Sequence, residues 1–94
     1  MKDATVIFGP DVDVAIQDLI DHVEIDDIPT VINFLDRIQT RLVRTLSTSP
    51  HGGSVFQGRV RKFVVDRYVF LFEYHEDSNE VHILDMIAPG RNWK

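Results

Sequence analysis

The apolar positions of this 94-residue chain change period twice, and each change marks a boundary between elements. Thr5-Val6-Ile7-Phe8 is a short β-branched and aromatic run closed by Gly9-Pro10, which predicts a strand. From Val12 the apolar residues fall at Val12, Ala15, Ile16, Leu19, Ile20 and Val23, the three-and-four spacing of one helical face. Asp11 is placed to cap this helix and Asp13 to sit in its first turn. After Asp26-Asp27, Pro29 suits the first turn of a second helix, where a missing N–H has no intrahelical partner, with Asp27 or Thr30 as its cap. Its apolar stripe is Val31, Phe34, Leu35, Ile38, Leu42 and Leu46, with Asp36, Arg37, Gln39, Arg41 and Arg44 off it. The short link predicts an antiparallel hairpin whose apolar stripes need cover.

Residues Ser47 to Gly58, with Pro50, Gly52, Gly53 and Gly58 among small polar residues, read as a loop and as the mobile segment of the chain. Beyond it the period becomes two. Val60 to Val65, Tyr68 to His75 and Val81 to Ile87 are β-rich runs separated by Asp66-Arg67 and by Glu76 to Asn79, both suited to hairpin turns. In the middle run Tyr68, Phe70, Phe72 and Tyr74 alternate with Val69, Leu71 and Glu73, so both faces are largely apolar, as in a central strand. The expected fold is α+β in the order β-α-α-β-β-β: an N-terminal strand, the helical hairpin, then a three-stranded antiparallel meander. We expect one domain over residues 1–94. The hairpin covers one sheet face, and an aromatic surface left open on the other would suit a protein partner.

Charge adds an asymmetry to this picture. The formal net charge is −5, yet residues 1–40 hold nine acids against two bases, and residues 41–75 hold six bases against two acids. Either the acidic helices simply present a solvated face, or the basic middle forms a partner-binding patch. The negative total argues against broad phosphate neutralisation, and so against sequence-specific DNA binding by this chain alone. With no cysteine there is no disulfide framework and no thiolate chemistry. The longest apolar run, Tyr68 to Phe72, is too short to span a membrane, and no signal-peptide pattern follows Met1. The expected location is the reducing cytoplasm.

His22, His51, His75 and His82 include no i,i+4 ligand pair and have no cysteine companions, so no metal is expected. His51-Gly52-Gly53 lacks the spacing of a phosphate loop, and Ser47, Ser49 and Ser54 lack a strand-to-helix elbow. Asp11, Asp13, Asp18 and Asp21 fall on the polar side of a helix and read as solvated. What remains is Arg59, Arg61 and Lys62 on the first meander strand and Arg91, Asn92, Trp93 and Lys94 after the last. A folded-back tail would bring these into one region, where guanidinium beside aromatic ring is a common recognition pairing. A basic strand edge that blocks sheet aggregation accounts for the strand residues equally well.

Specific residues in this order resemble a known group. Ala15-Ile16-Gln17-Asp18-Leu19-Ile20, Phe34-Leu35-Asp36-Arg37-Ile38, Leu46 with Pro50, Val60-Arg61-Lys62-Phe63, Tyr68 to Glu73, Val81 to Asp85 and Arg91-Asn92-Trp93 look like the ParE/RelE toxin superfamily. The resemblance spans nearly the whole chain. It implies the toxin of a type II toxin–antitoxin system, of the plasmid-stabilisation type, without a cofactor. ParE-like toxins inhibit DNA gyrase by protein contact, whereas RelE-like toxins cut messenger RNA on the ribosome. RNA cleavage needs groups that move protons and stabilise charge, in the RelE-like branch basic residues and often a C-terminal tyrosine or histidine. Trp93 stands there instead, and indole has no useful acid–base chemistry, which leaves Arg61 and Arg91 as the catalytic candidates of that branch. The ending Arg91-Asn92-Trp93 is similar to the Arg-Asp-Trp common among ParE-like sequences and favours that branch, with Arg59, Arg61, Lys62, Arg91 and Trp93 as target contacts. A third reading is a non-toxic relative that keeps only antitoxin binding. The resemblance also implies a ParD-like antitoxin in a hetero-oligomer, wrapping hairpin and sheet through Ile16, Leu19, Ile20, Leu35, Ile38 and Leu42. An acidic hairpin would favour a basic antitoxin tail.

Overall fold

The protein is described by a computed structural model covering residues 3–89. Strand β1 (Thr5–Phe8) is followed by helix α1 (Pro10–Asp21), a single 3-10 turn at Ile25–Asp27, and helix α2 (Ile28–Thr48). Four strands complete the chain: β2 (Ser54–Gln57), β3 (Val60–Val65), β4 (Tyr68–His75) and β5 (Glu80–Ile87). They form one five-stranded sheet in the order β1-β5-β4-β3-β2. Strand β1 runs parallel to β5 and all other pairs are antiparallel. The architecture is the expected α+β arrangement of strand, two helices and meander.

Two local expectations are corrected. Helix α1 begins two residues earlier than the apolar period suggested, with Pro10 at its start, Gly9 as N-cap and no side-chain cap bond, so Asp11 lies inside the first turn. Asp27 is the N-cap of α2, again without a side-chain bond, while Thr30 lies within the helix. The larger correction is β2, because residues 54–57 are a strand rather than loop. Glycine makes that strand possible. Gly53 has φ +78° and lies so close to β3 that a Cβ would sit 2.1 Å from the Lys62 carbonyl oxygen, and Gly58, at φ +57°, opens the turn into β3.

Both helices lie on one face of the sheet, α1 against β5 and α2 against β1 and β3. Strand register identifies that face: Val6 pairs with Val81, Phe72 with Ile83, Phe70 with Met86 and with Phe63, and Val65 with Tyr68. Phe70, Phe72, Val81 and Ile83 are fully buried there beneath Val12, Leu42 and Leu46. The aromatic face of β4 is therefore the covered one, and the exposed aromatic surface considered from the sequence does not form. Aromatic rings offer the largest area to remove from water, so this face has the most to gain from the helices. The open face carries Ile7, Val64, Val69, Leu71 and Ile87 together with Lys62, Glu73, His75, Glu80 and His82. No described helix is long and apolar enough to cross a membrane.

Candidate functional site

The end of the sheet where β4 turns into β5 gathers three of the chain's four histidines, His51, His75 and His82, with Arg59, Arg61, Tyr74 and several carboxylates. Its turn places Asn79 at φ +53°, a left-handed conformation that asparagine tolerates better than most residues. Asn79 then ties three segments together. Its Oδ1 accepts the Tyr74 hydroxyl at 2.7 Å, its Nδ2 donates to the Asp3 carbonyl at 3.2 Å, and its own carbonyl accepts the Thr5 N–H at 3.0 Å. Beside this knot, an open cavity of about 510 Å³ is lined by His51, Arg59, Arg61, Tyr74, His75 and Glu76, with Gly58, Asp77 and Ser78 at its margin.

Arg61 enters the cavity from β3 because alternation puts it on the same face as Phe63 and opposite to Lys62. Its Nη2 donates to the His51 carbonyl at 2.8 Å and the Gly53 carbonyl at 3.2 Å, while Nε lies 3.4 Å from the Gly52 carbonyl. The guanidinium thus holds the 51–53 backbone. That backbone presents the His51 ring edge-on to Tyr74, centroids 5.0 Å apart and planes at 81°. His51 Nε2 is 3.9 Å from Glu76 Oε1, but both side chains are well exposed and the pair is screened by water.

A second polar group lies on the open sheet face next to this cavity. His75 Nε2 is 3.1 Å from Glu73 Oε1, and His82 Nε2 is 3.0 Å from Glu80 Oε1. The two imidazoles stand 4.4 Å apart at 39°. Cross-strand register explains the arrangement: Glu73 pairs with His82 and His75 with Glu80, so the four side chains make a square on one face. Glu80 is held below the ordinary carboxyl value of 4.5, chiefly by its hydrogen bond with His82 and then by that from the Ser78 hydroxyl at 3.1 Å. Among the described residues, no three His, Asp or Glu side chains converge as metal ligands.

The structure distributes the sequence candidates differently from their order in the chain. Arg59 and Arg61 line the cavity, whereas Lys62 points to the opposite sheet face, so the three do not make one patch. Arg91 and Trp93 lie outside the described residues. Of the expected antitoxin contacts, Leu35, Ile38 and Leu42 are 4%, 2% and 0% exposed and belong to the core beneath the sheet. They cannot meet a partner while α2 stays docked. Ile16 and Leu19 are half-buried and pack against that core, and Ile20 is half-buried beyond it. The apolar residues that the helical segment does present are Val14, Ile25, Ile32 and Val43. His51, Tyr74, His75 and Asn79 are the site residues that sequence reasoning did not bring together. A signal for Asn79 was available, since asparagine closing a polar four-residue turn often takes a left-handed conformation.

Chemically, two imidazoles, a phenol and two guanidiniums around one cavity can move protons and hold an anion. Two features restrain that use. Arg61 already serves three backbone carbonyls, and Glu76 and Asp77 place negative charge in the same wall.

The order of elements, the mixed sheet and the helices on one face give this chain the fold seen in RelE toxin structures. A chain of the RelBE2 toxin–antitoxin complex of Mycobacterium tuberculosis matches with a TM-score of 0.64 at 15% identity, covering 97% of both chains. The intact Escherichia coli RelBE toxin–antitoxin complex matches with a TM-score of 0.59 at 11% identity, covering 94% of this chain and 99% of that one. The isolated E. coli RelE toxin matches with a TM-score of 0.60 at 9% identity, over 95% of this chain and 87% of that one. No family model and no curated protein matches the sequence.

Proposed function

We propose that this chain is the toxin of a type II toxin–antitoxin system, held inactive by a cognate antitoxin in the cytoplasm. The observation that carries this reading is the likeness to RelE and RelBE structures, which covers 94% or more of this chain in each comparison. For the target, the reading is ParE-like: inhibition of DNA gyrase by protein contact, with a ParD-like antitoxin. Its support is the Arg91-Asn92-Trp93 ending, the net charge of −5, and a cavity whose Arg61 is engaged by backbone and whose wall includes Glu76 and Asp77. A protein target tolerates such mixed charge better than a polyanion does.

One observation favours a second reading, RelE-like cleavage of messenger RNA. His51, Tyr74, His75, Arg59 and Arg61 share one cavity, a set that can supply acid, base and anion stabilisation without a metal. Purified chain added to a gyrase supercoiling assay and to a cell-free translation assay separates the two. The expected result is loss of supercoiling with translation intact. Arrested translation with cut messenger would overturn the gyrase reading, and no effect in either assay would leave a non-toxic relative that binds antitoxin alone.

A further inference from the structure

The open sheet face carries an apolar row that no described helix or strand crosses. Val64 of β3 stands opposite Val69 of β4, and Val69 opposite Ile87 of β5. Three aliphatic side chains therefore lie side by side over about 10 Å, with Leu71 next along β4. Both helices pack on the other face. Val69 is 8% exposed yet stands apart from the core cluster beneath the helices, so its cover comes from the open side. Val64, at the end of the row, is 55% exposed. An aliphatic row left in water favours any apolar group within reach.

What lies within reach is the chain's own continuation. Ile87 ends β5 at this row, and Ala88-Pro89-Gly90-Arg91 follows, with proline and glycine at the two central positions that suit a type II turn. Such a turn reverses the chain toward the sheet it has just left. Residues 90–94 lie outside the described residues, but covalent geometry sets their reach. The four residues from Gly90 to Trp93 extend up to about 14 Å, more than the roughly 10 Å that separates Ile87 from Val64 across two strand spacings. Trp93 is the one large apolar side chain among them.

We propose that the open-face row is the seat of Trp93, which holds the end of the chain across the sheet as an intramolecular strap. An indole offers the large flat area that three aliphatic side chains in a row can cover. Tethering favours this occupant over a free one, since a short link gives an effective concentration on the order of millimolar. Seated there, Trp93 reaches a target only when the strap lifts, and this holds for a gyrase and for a ribosome alike. Target contact through Trp93 then includes the release of its ring from Val64, Val69 and Ile87.

The test is the intrinsic fluorescence of the intact chain, because Trp93 is its only tryptophan. Emission lies to the blue of the urea-unfolded chain, and acrylamide quenching is several-fold weaker. Val64→Asp sets a carboxylate at the end of the row and moves both readings toward the unfolded values. Val14→Asp, at a valine of similar exposure on α1 (67%), leaves them unchanged. Far-UV circular dichroism and thermal melts of both variants match the parent, because both positions lie outside the core. Nuclear Overhauser effects from the indole to the methyls of Val64, Val69 or Ile87 give the same answer without a substitution. An indole as exposed in the folded parent as in urea overturns the proposal, and so does a protected indole indifferent to Val64→Asp. Protection that grows with protein concentration makes a second copy of this chain the cover, which overturns the strap as well.

Discussion

The Tyr74 hydroxyl donates to Asn79 Oδ1 at 2.7 Å, and this bond holds the amide of the β4–β5 turn against β4. The same amide reaches the Asp3 carbonyl, and the Asn79 backbone carbonyl takes the Thr5 N–H, so one residue closes the parallel pairing of β1 with β5. Parallel strands distant in sequence have no turn to align them, and a side chain that bonds across the join supplies that alignment.

Replacing Asn79 tests the knot. Tyr74→Phe removes one partly buried hydrogen bond and costs about 1 kcal/mol in urea unfolding. Asn79→Ala loses the side-chain bonds to Tyr74 and Asp3 and places a residue that tolerates the left-handed region less well at φ +53°, for a cost of about 2–3 kcal/mol. Equal losses in the two variants would show that the Asp3 bond and the backbone conformation contribute nothing.

Arg61 is expected to act first as a clamp on residues 51–53. Arg61→Lys keeps the charge but cannot fork to three carbonyls, so it costs about 1–2 kcal/mol and accelerates amide hydrogen exchange in residues 52–54. Unchanged exchange there would separate Arg61 from the placement of His51.

The two left-handed glycines flanking β2 differ in what surrounds them. Gly58→Ala meets no atom within 4 Å and bears only the conformational cost, about 1 kcal/mol. Gly53→Ala adds a clash with the Lys62 carbonyl and either expels β2 from the sheet or costs well over about 2 kcal/mol. Thermal melts with backbone exchange in residues 54–57 distinguish these outcomes, and equal behaviour of the two variants would contradict the close approach at Gly53.

Glu80 gives a pH dependence of known sign. Its carboxyl is held below 4.5 in the folded chain, first by His82 and then by Ser78, so it contributes stability above 4.5 that is lost as pH falls through the lower folded value. Glu80→Gln is therefore less stable than the parent at neutral pH, and the gap in melting temperature closes in acid. A gap that stays constant into acid would remove Glu80 from the acid limb.

Both helices and the strands β1, β3, β4 and β5 were legible in the residues, because their patterns are local: three-and-four spacing in Val31 to Leu46, alternation in Tyr68 to His75. Strand β2 was not. Ser54-Val55-Phe56-Gln57 has no apolar alternation of its own, and it becomes a strand because β3 lies alongside, across a turn that Gly58 opens. The helix stripes likewise showed that Leu35, Ile38 and Leu42 need cover without showing whether sheet or partner supplies it, and the sheet's aromatic face takes them.

For the candidate site the sequence alone singled out Arg59, Arg61 and Lys62 together by charge, and the structure divides the set, because side chains alternate along a strand and Arg61 and Lys62 take opposite faces of β3. The sequence could not set His51 beside Tyr74, or Asn79 beside Asp3, because those contacts join positions far apart in the chain whose meeting depends on strand order. Propensity and period act over a few residues and so are written in the sequence. The placement of β1 beside β5, and with it the knot at Asn79, is decided by how the whole sheet buries its aromatic face, which only the tertiary structure reveals.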